Sequence, residues 1–267
     1  MKTFVIKRYQ VASAKLAMGS PGIRLAFLSD LHSVVYGSQN RTLLKSIAAA
    51  RPDCILVGGD MMVGRSPESL AVPQQLLSQL AKRFRIFYSY GNHESSMQLA
   101  YSPYRSAFDE YKEQLQHRGV VFVDNTRAGF EIRGTQLGIY GLHLEKDYFA
   151  RYRPKQLSDS ELDRRFHTQT VQEEYAVLLA HNPMHAEAYF AWKSDLILAG
   201  HNHGGIVRFT ENKGLFIPHI PPIPKYCCGR FDRGDKTMIV SAGLGEHTIP
   251  VRIHNPRELI LIDIEAK

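Results

Sequence analysis

The sequence predicts a layered α/β fold with a mixed sheet system, and three observations carry that prediction. Short apolar runs recur along the chain, each ends in a polar, turn-rich cluster, and stretches with helical spacing separate several of them. The overall composition, 44% hydrophobic and 22% charged over 267 residues, is that of an ordinary globular chain able to bury a core. The strand-like runs are Leu25 to Leu28 before Ser29-Asp30-Leu31-His32, Cys54 to Val57 before Gly58-Gly59-Asp60, and Arg85 to Tyr90 before Gly91-Asn92-His93-Glu94. They continue with Gly138 to Leu142 before His143, Val177 to Ala180 before His181-Asn182-Pro183, and Asp195 to Ala199 before Gly200-His201-Asn202-His203.

Helices are expected over Gln39 to Ala50, Ser66 to Arg83, Ser102 to Arg118 and Met184 to Trp192, where apolar residues recur near helical spacing. Residues 130 to 142 read as a β-hairpin joined across Gly134-Thr135-Gln136. Thr237 to Ala242 and Leu259 to Ile264 add late strands. Leu144 to Glu174 is charged and aromatic without periodicity and reads as a loop or lid. Gly214 to Arg233 is dense in proline and glycine and reads as an extended, ordered loop. With no internal repeat and no composition shift, residues 1–267 read as a single domain.

The formal charge of +7 suits an anionic partner, but Lys and Arg are scattered and match no nucleic-acid module, so a solvated basic surface is the better reading. The three cysteines, Cys54, Cys227 and Cys228, form neither a disulfide framework nor a CxxC site. Basic residues interrupt the N-terminal segment, and no apolar stretch has membrane-spanning length. A cytoplasmic protein without a transmembrane segment is expected.

Taken singly, the polar clusters are bland: Asp30 or Asp60 can cap a helix, Asn92 and His93 can form a turn, and His32 or His181 can be a buried, hydrogen-bonded imidazole. Taken together they follow strand-like runs and project from one edge of the sheet system, where α/β folds gather ligands. Asp30, His32, Asp60, Asn92, His181, His201 and His203 then converge as carboxylate, amide and imidazole donors without a thiolate, a set suited to divalent Mn, Fe or Zn. Seven ligands exceed one tetrahedral ion and suit two ions sharing a carboxylate, with positions left open for water and substrate.

In that order, DLH at 30–32, GD at 59–60, GNHE at 91–94, His181 and GHNH at 200–203 resemble the signature of the calcineurin-like metallophosphoesterases. GHNHGG followed by SAGLGEHTIPVRIHNPREL at 241–259 is similar to the bacterial YkuE/YaeI branch. The resemblance implies a four-layer αββα sandwich with two mixed β-sheets, and two divalent metal ions. One would be held by Asp30, His32, Asp60 and His203, the other by Asp60, Asn92, His181 and His201, with Asp60 bridging. It implies attack on phosphorus by a metal-bridging hydroxide, with His93 as the catalytic histidine beside Asp60. The chain departs from the pattern at Ile206, where Gln is usual, and at Asn202, where Thr is common; neither position is a ligand.

The expected activity is hydrolysis of a phosphoester or pyrophosphate bond, with a phosphodiesterase preferred and a phosphorylated small molecule or lipid-like compound as substrate. A UDP-2,3-diacylglucosamine-type pyrophosphohydrolase is the alternative, with Ile220 and Ile223 lining an acyl groove and peripheral contact with a membrane. A non-catalytic binding module ranks below both, because all seven ligands and His93 are present, and a nucleic-acid substrate ranks below a small one. His143 reads equally as a substrate contact or a structural residue, Glu94 as a support for its loop or for a ligand's second nitrogen, and His247 as a residue to test. His185, His219 and His254 carry no assignment.

Overall fold

The computed structural model describes residues 2–16, 19–150, 153–166, 174–215, 224–246 and 250–267. In chain order the elements are β1 (Val5–Ser13), β2 (Ile23–Leu28), α1 (Arg41–Ala50), β3 (Cys54–Val57), α2 (Ala71–Leu80), β4 (Arg85–Tyr88), α3 (Asn92–Gln98), α4 (Arg105–Gln116) and β5 (Val120–Phe122). There follow β6 (Thr126–Ile132), β7 (Thr135–Leu142), α5 (Asp159–Arg165), β8 (Tyr175–Ala180), α6 (Ala186–Ala191) and β9 (Leu196–Ala199). The short pair β10 (Val207–Arg208) and β11 (Gly214–Leu215) precedes β12 (Gly229–Arg233), β13 (Lys236–Val240) and β14 (Glu258–Ala266).

Two six-stranded mixed sheets result, ordered β1-β14-β2-β3-β4-β5 and β12-β13-β9-β8-β7-β6. In the first, β2, β3, β4 and β5 are parallel; in the second, β7, β8, β9 and β13 are parallel. The strand pleat assigns the layers, because successive side chains point to opposite faces. Leu25, Phe27, Cys54 and Leu56 of the first sheet share one core with Val177, Leu179, Leu196 and Leu198 of the second. The alternate residues Ala26, Leu28, Ile55 and Val57 pack under Leu43, Ile47, Leu76 and Leu77 of α1 and α2. On the opposite outer face, Leu178, Ala180 and Ile197 pack under Tyr189 and Phe190 of α6. The expected four-layer αββα sandwich is therefore present.

The expected helices form inside their anticipated ranges, several with a single turn of 3₁₀ helix at the start, as at Pro67–Leu70 and Pro183–His185. Differences are local. The hairpin begins at Thr126, and its turn is Arg133-Gly134, with φ of 50° and 78°, which leaves Thr135 and Gln136 in β7. The lid region contains a 3₁₀ turn at Lys146–Phe149 as well as α5. Within the Pro/Gly-dense segment, β11 and β12 form at the ends, while residues 216–223 lie outside the described ones.

Candidate metal centre

Because β2, β3 and β4 run parallel, as do β8 and β9, their C-terminal ends deliver the polar clusters to one edge of the sandwich. Backbone hydrogen bonding continues beyond the strands: the Asp30 N–H donates to the Gly59 carbonyl at 2.9 Å and the His32 N–H to the Asp60 carbonyl at 3.1 Å. Close approach dictates glycine at two positions. A Cβ on Gly59 would stand 2.1 Å from the Gly91 nitrogen, and one on Gly200 would stand 2.2 Å from Asp30 Oδ2.

Asp30, His32, Asp60, His201 and His203 all have left-handed backbone, with φ of 51°, 46°, 54°, 66° and 49°. Such non-glycine residues cost about 1–3 kcal/mol each and persist where the surroundings over-determine them, which is characteristic of functional sites.

Six of the seven candidate donors fall into close groups, and the seventh, Asn92, opens α3 next to His93, whose ring joins Asp60 and His32 in a further group. Donor atoms of Asp30, His32 and His203 lie within 4.8 Å of one another, as do those of Asp60, His181 and His201. Asp60 stands between the sets: its Oδ2 is 3.2 Å from His181 Nε2 and 3.9 Å from both His32 Nε2 and His93 Nε2. Its Oδ1 accepts the His93 backbone N–H at 2.9 Å. Asp30 Oδ1 accepts the His201 backbone N–H at 3.0 Å and lies 3.5 Å from His203 Nε2. The His32 and His203 rings stack at 4.9 Å, with their Nε2 atoms 3.1 Å apart.

The donor set fits a cation. Asp30 Oδ2, Asn92 Oδ1 and His181 Nε2 are buried without a hydrogen-bond partner, and unsatisfied buried polar atoms are rare unless something binds them. His181 Nδ1 sits 2.7 Å from the Gly58 carbonyl, so it carries the proton and leaves the Nε2 lone pair facing the centre. Burial lowers the His181 pKa, but Asp60 and then Asp30 outweigh it and raise it to about 10. Burial, reinforced by the Asp60 charge, pushes Asp30 up to about 6. Asp60 is also buried, yet His181, His93 and His32 hold it well below the usual carboxylate range. The raised His181 pKa reports the carboxylate charge of Asp60 and Asp30 around its ring, charge that a divalent ion would neutralise while taking the place of the Nε2 proton.

Four side chains support the loops around the centre: Glu94, for which the sequence offered such a role, and Asn255, Arg252 and Asn202, which were not legible as supports. Glu94 is fully buried and accepts the N–H groups of Asp60 (2.8 Å), Met61 (2.9 Å) and Gly91 (3.0 Å) and the Tyr88 hydroxyl (2.7 Å). It holds the loops and touches no ligand ring. Asn255 Nδ2 donates to the His203 and Gly205 carbonyls, and Arg252 donates to the carbonyls of His203, Ala242 and Gly245. Asn202, between the two histidines, donates to the Tyr226 carbonyl and fixes the loop. His185 bonds the Tyr148 carbonyl away from the centre and His254 is exposed, while His219, Ile220, Ile223 and His247 lie outside the described residues. Met61, Met62 and Met97 are core.

A family model described as calcineurin-like phosphoesterase matches residues 23–205, more than half of the chain and all seven donors. The chain belongs to the calcineurin-like phosphoesterase family. It is accordingly a metal-dependent phosphoric ester hydrolase. YpbG of Bacillus subtilis, an uncharacterised protein, is 24% identical over 88% of this phosphoesterase and 78% of its own length. The phosphodiesterase YaeI of Escherichia coli is 26% identical over 83% of this chain and 75% of its own. The NAD nucleotidase of Haemophilus influenzae shares the fold with a TM-score of 0.53 at 13% identity, over 85% of this phosphoesterase and 46% of that longer chain. Among the described residues, no helix is long and apolar enough to cross a membrane.

Proposed function

We propose that this phosphoesterase is a dinuclear phosphodiesterase, and the observation that carries the reading is the placement of Asp60 Oδ2 between two donor sets that contain buried, unpartnered atoms. Asp30, His32, Asp60 and His203 would hold one divalent ion, and Asp60, Asn92, His181 and His201 the other. The absence of thiolate favours Mn, Fe or Zn. Bound ions supply charge neutralisation at the phosphoryl oxygens and a source of hydroxide near neutral pH. The preference for a diester is supported by the similarity to YaeI, which is named a phosphodiesterase. We read residues 1–267 as one domain, because β1 and β14, from the two ends of the chain, pair in a single sheet.

His93 supplies the proton chemistry in this reading. Its backbone N–H is anchored on Asp60, its ring meets His32 edge to face at 4.9 Å, and its side chain is 23% exposed, so it can reach a substrate oxygen. It would donate to the leaving oxygen or to the charge that develops there. The test is manganese-dependent hydrolysis of bis-p-nitrophenyl phosphate. His93→Ala is expected to lower kcat by about 10²- to 10⁴-fold while bound manganese, measured by plasma mass spectrometry, stays the same. A wild type inactive with Mn, Fe and Zn alike would sink the reading, and metal loss from His93→Ala would make His93 a ligand instead.

A further inference from the structure

Beside Asn92 a cavity of about 370 Å³ opens between α3 with its following turn and the lid region. Ser95, Leu99 and Ala100 form one wall, and His143, Lys146 and Phe149 the other. The Phe149 ring also lies 5.4 Å from the His201 ring and 6.2 Å from the His181 ring, so cavity and metal centre share a wall. Ser96, Gln98, Arg105 and Glu145 also line the space, yet most of the surface it exposes is apolar, and its size falls within the roughly 300–1,000 Å³ of small-molecule sites.

His143 is fixed in that wall from several sides. Its Nδ1 is 2.8 Å from Asp124 Oδ1, its backbone N–H donates to Asn125 Oδ1 at 3.0 Å, and its carbonyl accepts from Arg165 at 2.9 Å. Its ring packs edge to face on Tyr90 at 5.5 Å. With the Asp124 carboxylate accepting a hydrogen bond from Nδ1–H, Nε2 is left for hydrogen bonding and has no partner among the described residues. A histidine held this firmly in the wall of a Phe-walled space matches a flat group with a polar rim.

We propose that this cavity receives one ester substituent of the substrate, that the substituent is a flat aromatic group of aryl or nucleoside type, and that His143 bonds its polar edge. The inference rests on the phosphodiesterase reading and narrows it to diesters with such a substituent. Lys146 adds a cation to the same wall, where the carboxylate of Glu145 is already paired with Arg165, and this suits an anionic substrate.

The test separates binding from turnover by using manganese-loaded His93→Ala. Diphenyl phosphate, thymidine 5′-methyl phosphate and diethyl phosphate are titrated into it calorimetrically. An aromatic diester is expected to bind at least about tenfold more tightly than diethyl phosphate, the return on burying a flat ring. A gain for both aromatic diesters, or for thymidine 5′-methyl phosphate alone, supports the pocket; a gain for diphenyl phosphate alone, whose rings have no polar edge, would overturn the His143 contact. Adding Ala100→Trp, at an exposed turn position where the fold tolerates an indole, is expected to fill the space and erase that preference. Equal affinity for all three diesters, or a preference that survives Ala100→Trp, would overturn the inference. Aromatic preference in binding alongside a wild type that leaves diesters intact would uphold the pocket and strike the diesterase reading alone.

Discussion

Asp60→Asn is expected to abolish metal-dependent hydrolysis of bis-p-nitrophenyl phosphate, lowering kcat/KM on the order of 10³-fold or more, as the loss of several kcal/mol of metal-derived stabilisation requires. Asparagine keeps the shape of the side chain and an oxygen to accept the His93 N–H, so the fold stands. What disappears is the charge at Oδ2, the atom facing His181, His32 and His93 at 3.2 to 3.9 Å. Asp60 is 2% exposed, so bulk water has little room to replace the missing donor. Bound manganese is expected to fall with activity. Activity close to wild type would remove Asp60 from its central role and with it the shared-carboxylate model.

Glu94→Ala is the substitution with the largest expected effect on stability. Four donors from two segments of chain, Asp60-Met61 and Tyr88 to Gly91, converge on this carboxylate, and truncation leaves them buried without an acceptor. Removing one partner of such a buried polar cluster costs about 3–5 kcal/mol. Glu94→Gln is expected to cost about 1–3 kcal/mol, because whichever way the amide is turned its NH₂ meets a backbone N–H. Burial, reinforced by the Asp60 charge, raises the pKa of Glu94, so part of its stabilising capacity already offsets its own desolvation. Urea unfolding of the metal-free protein isolates this contribution from metal loss. A change below about 1 kcal/mol for Glu94→Ala would show that the loops are held by other contacts.

The strands that build the centre were legible because β2, β3, β8 and β9 are buried on both faces and read as nearly continuous apolar runs. β1 was not: Val-Ile-Lys-Arg-Tyr-Gln lies at a sheet edge with Val5 and Ile6 exposed, and its strand state is set by pairing with β14, far away in sequence. α3 was missed for a related reason. Asn, His and two Ser are weak helix formers, and the helix exists because Gly91 and Glu94 cap it over the Asp60 loop. The seven candidate donors could be singled out because each follows a strand within a few residues. Arg252, Asn255 and the left-handed backbone could not, since their roles are defined by carbonyls and angles that only the folded chain brings together.

Each donor set draws on both sheets. Asp30 and His32 follow β2 while His203 follows β9; Asp60 follows β3 while His181 and His201 follow β8 and β9. An ion seated in either set therefore acts as a cross-link between the two halves of the sandwich, and opening the intersheet core must first release it. Binding to the native state alone adds about 2.7 kcal/mol when free metal exceeds its dissociation constant a hundredfold. The melting temperature is expected to climb with manganese concentration and to fall on chelation, and Asp60→Asn is expected to flatten that dependence. A melting temperature indifferent to metal would mean that the ions do not join the sheets. In a cell, metal supply would then govern how long this chain survives proteolysis as well as how fast it turns over substrate.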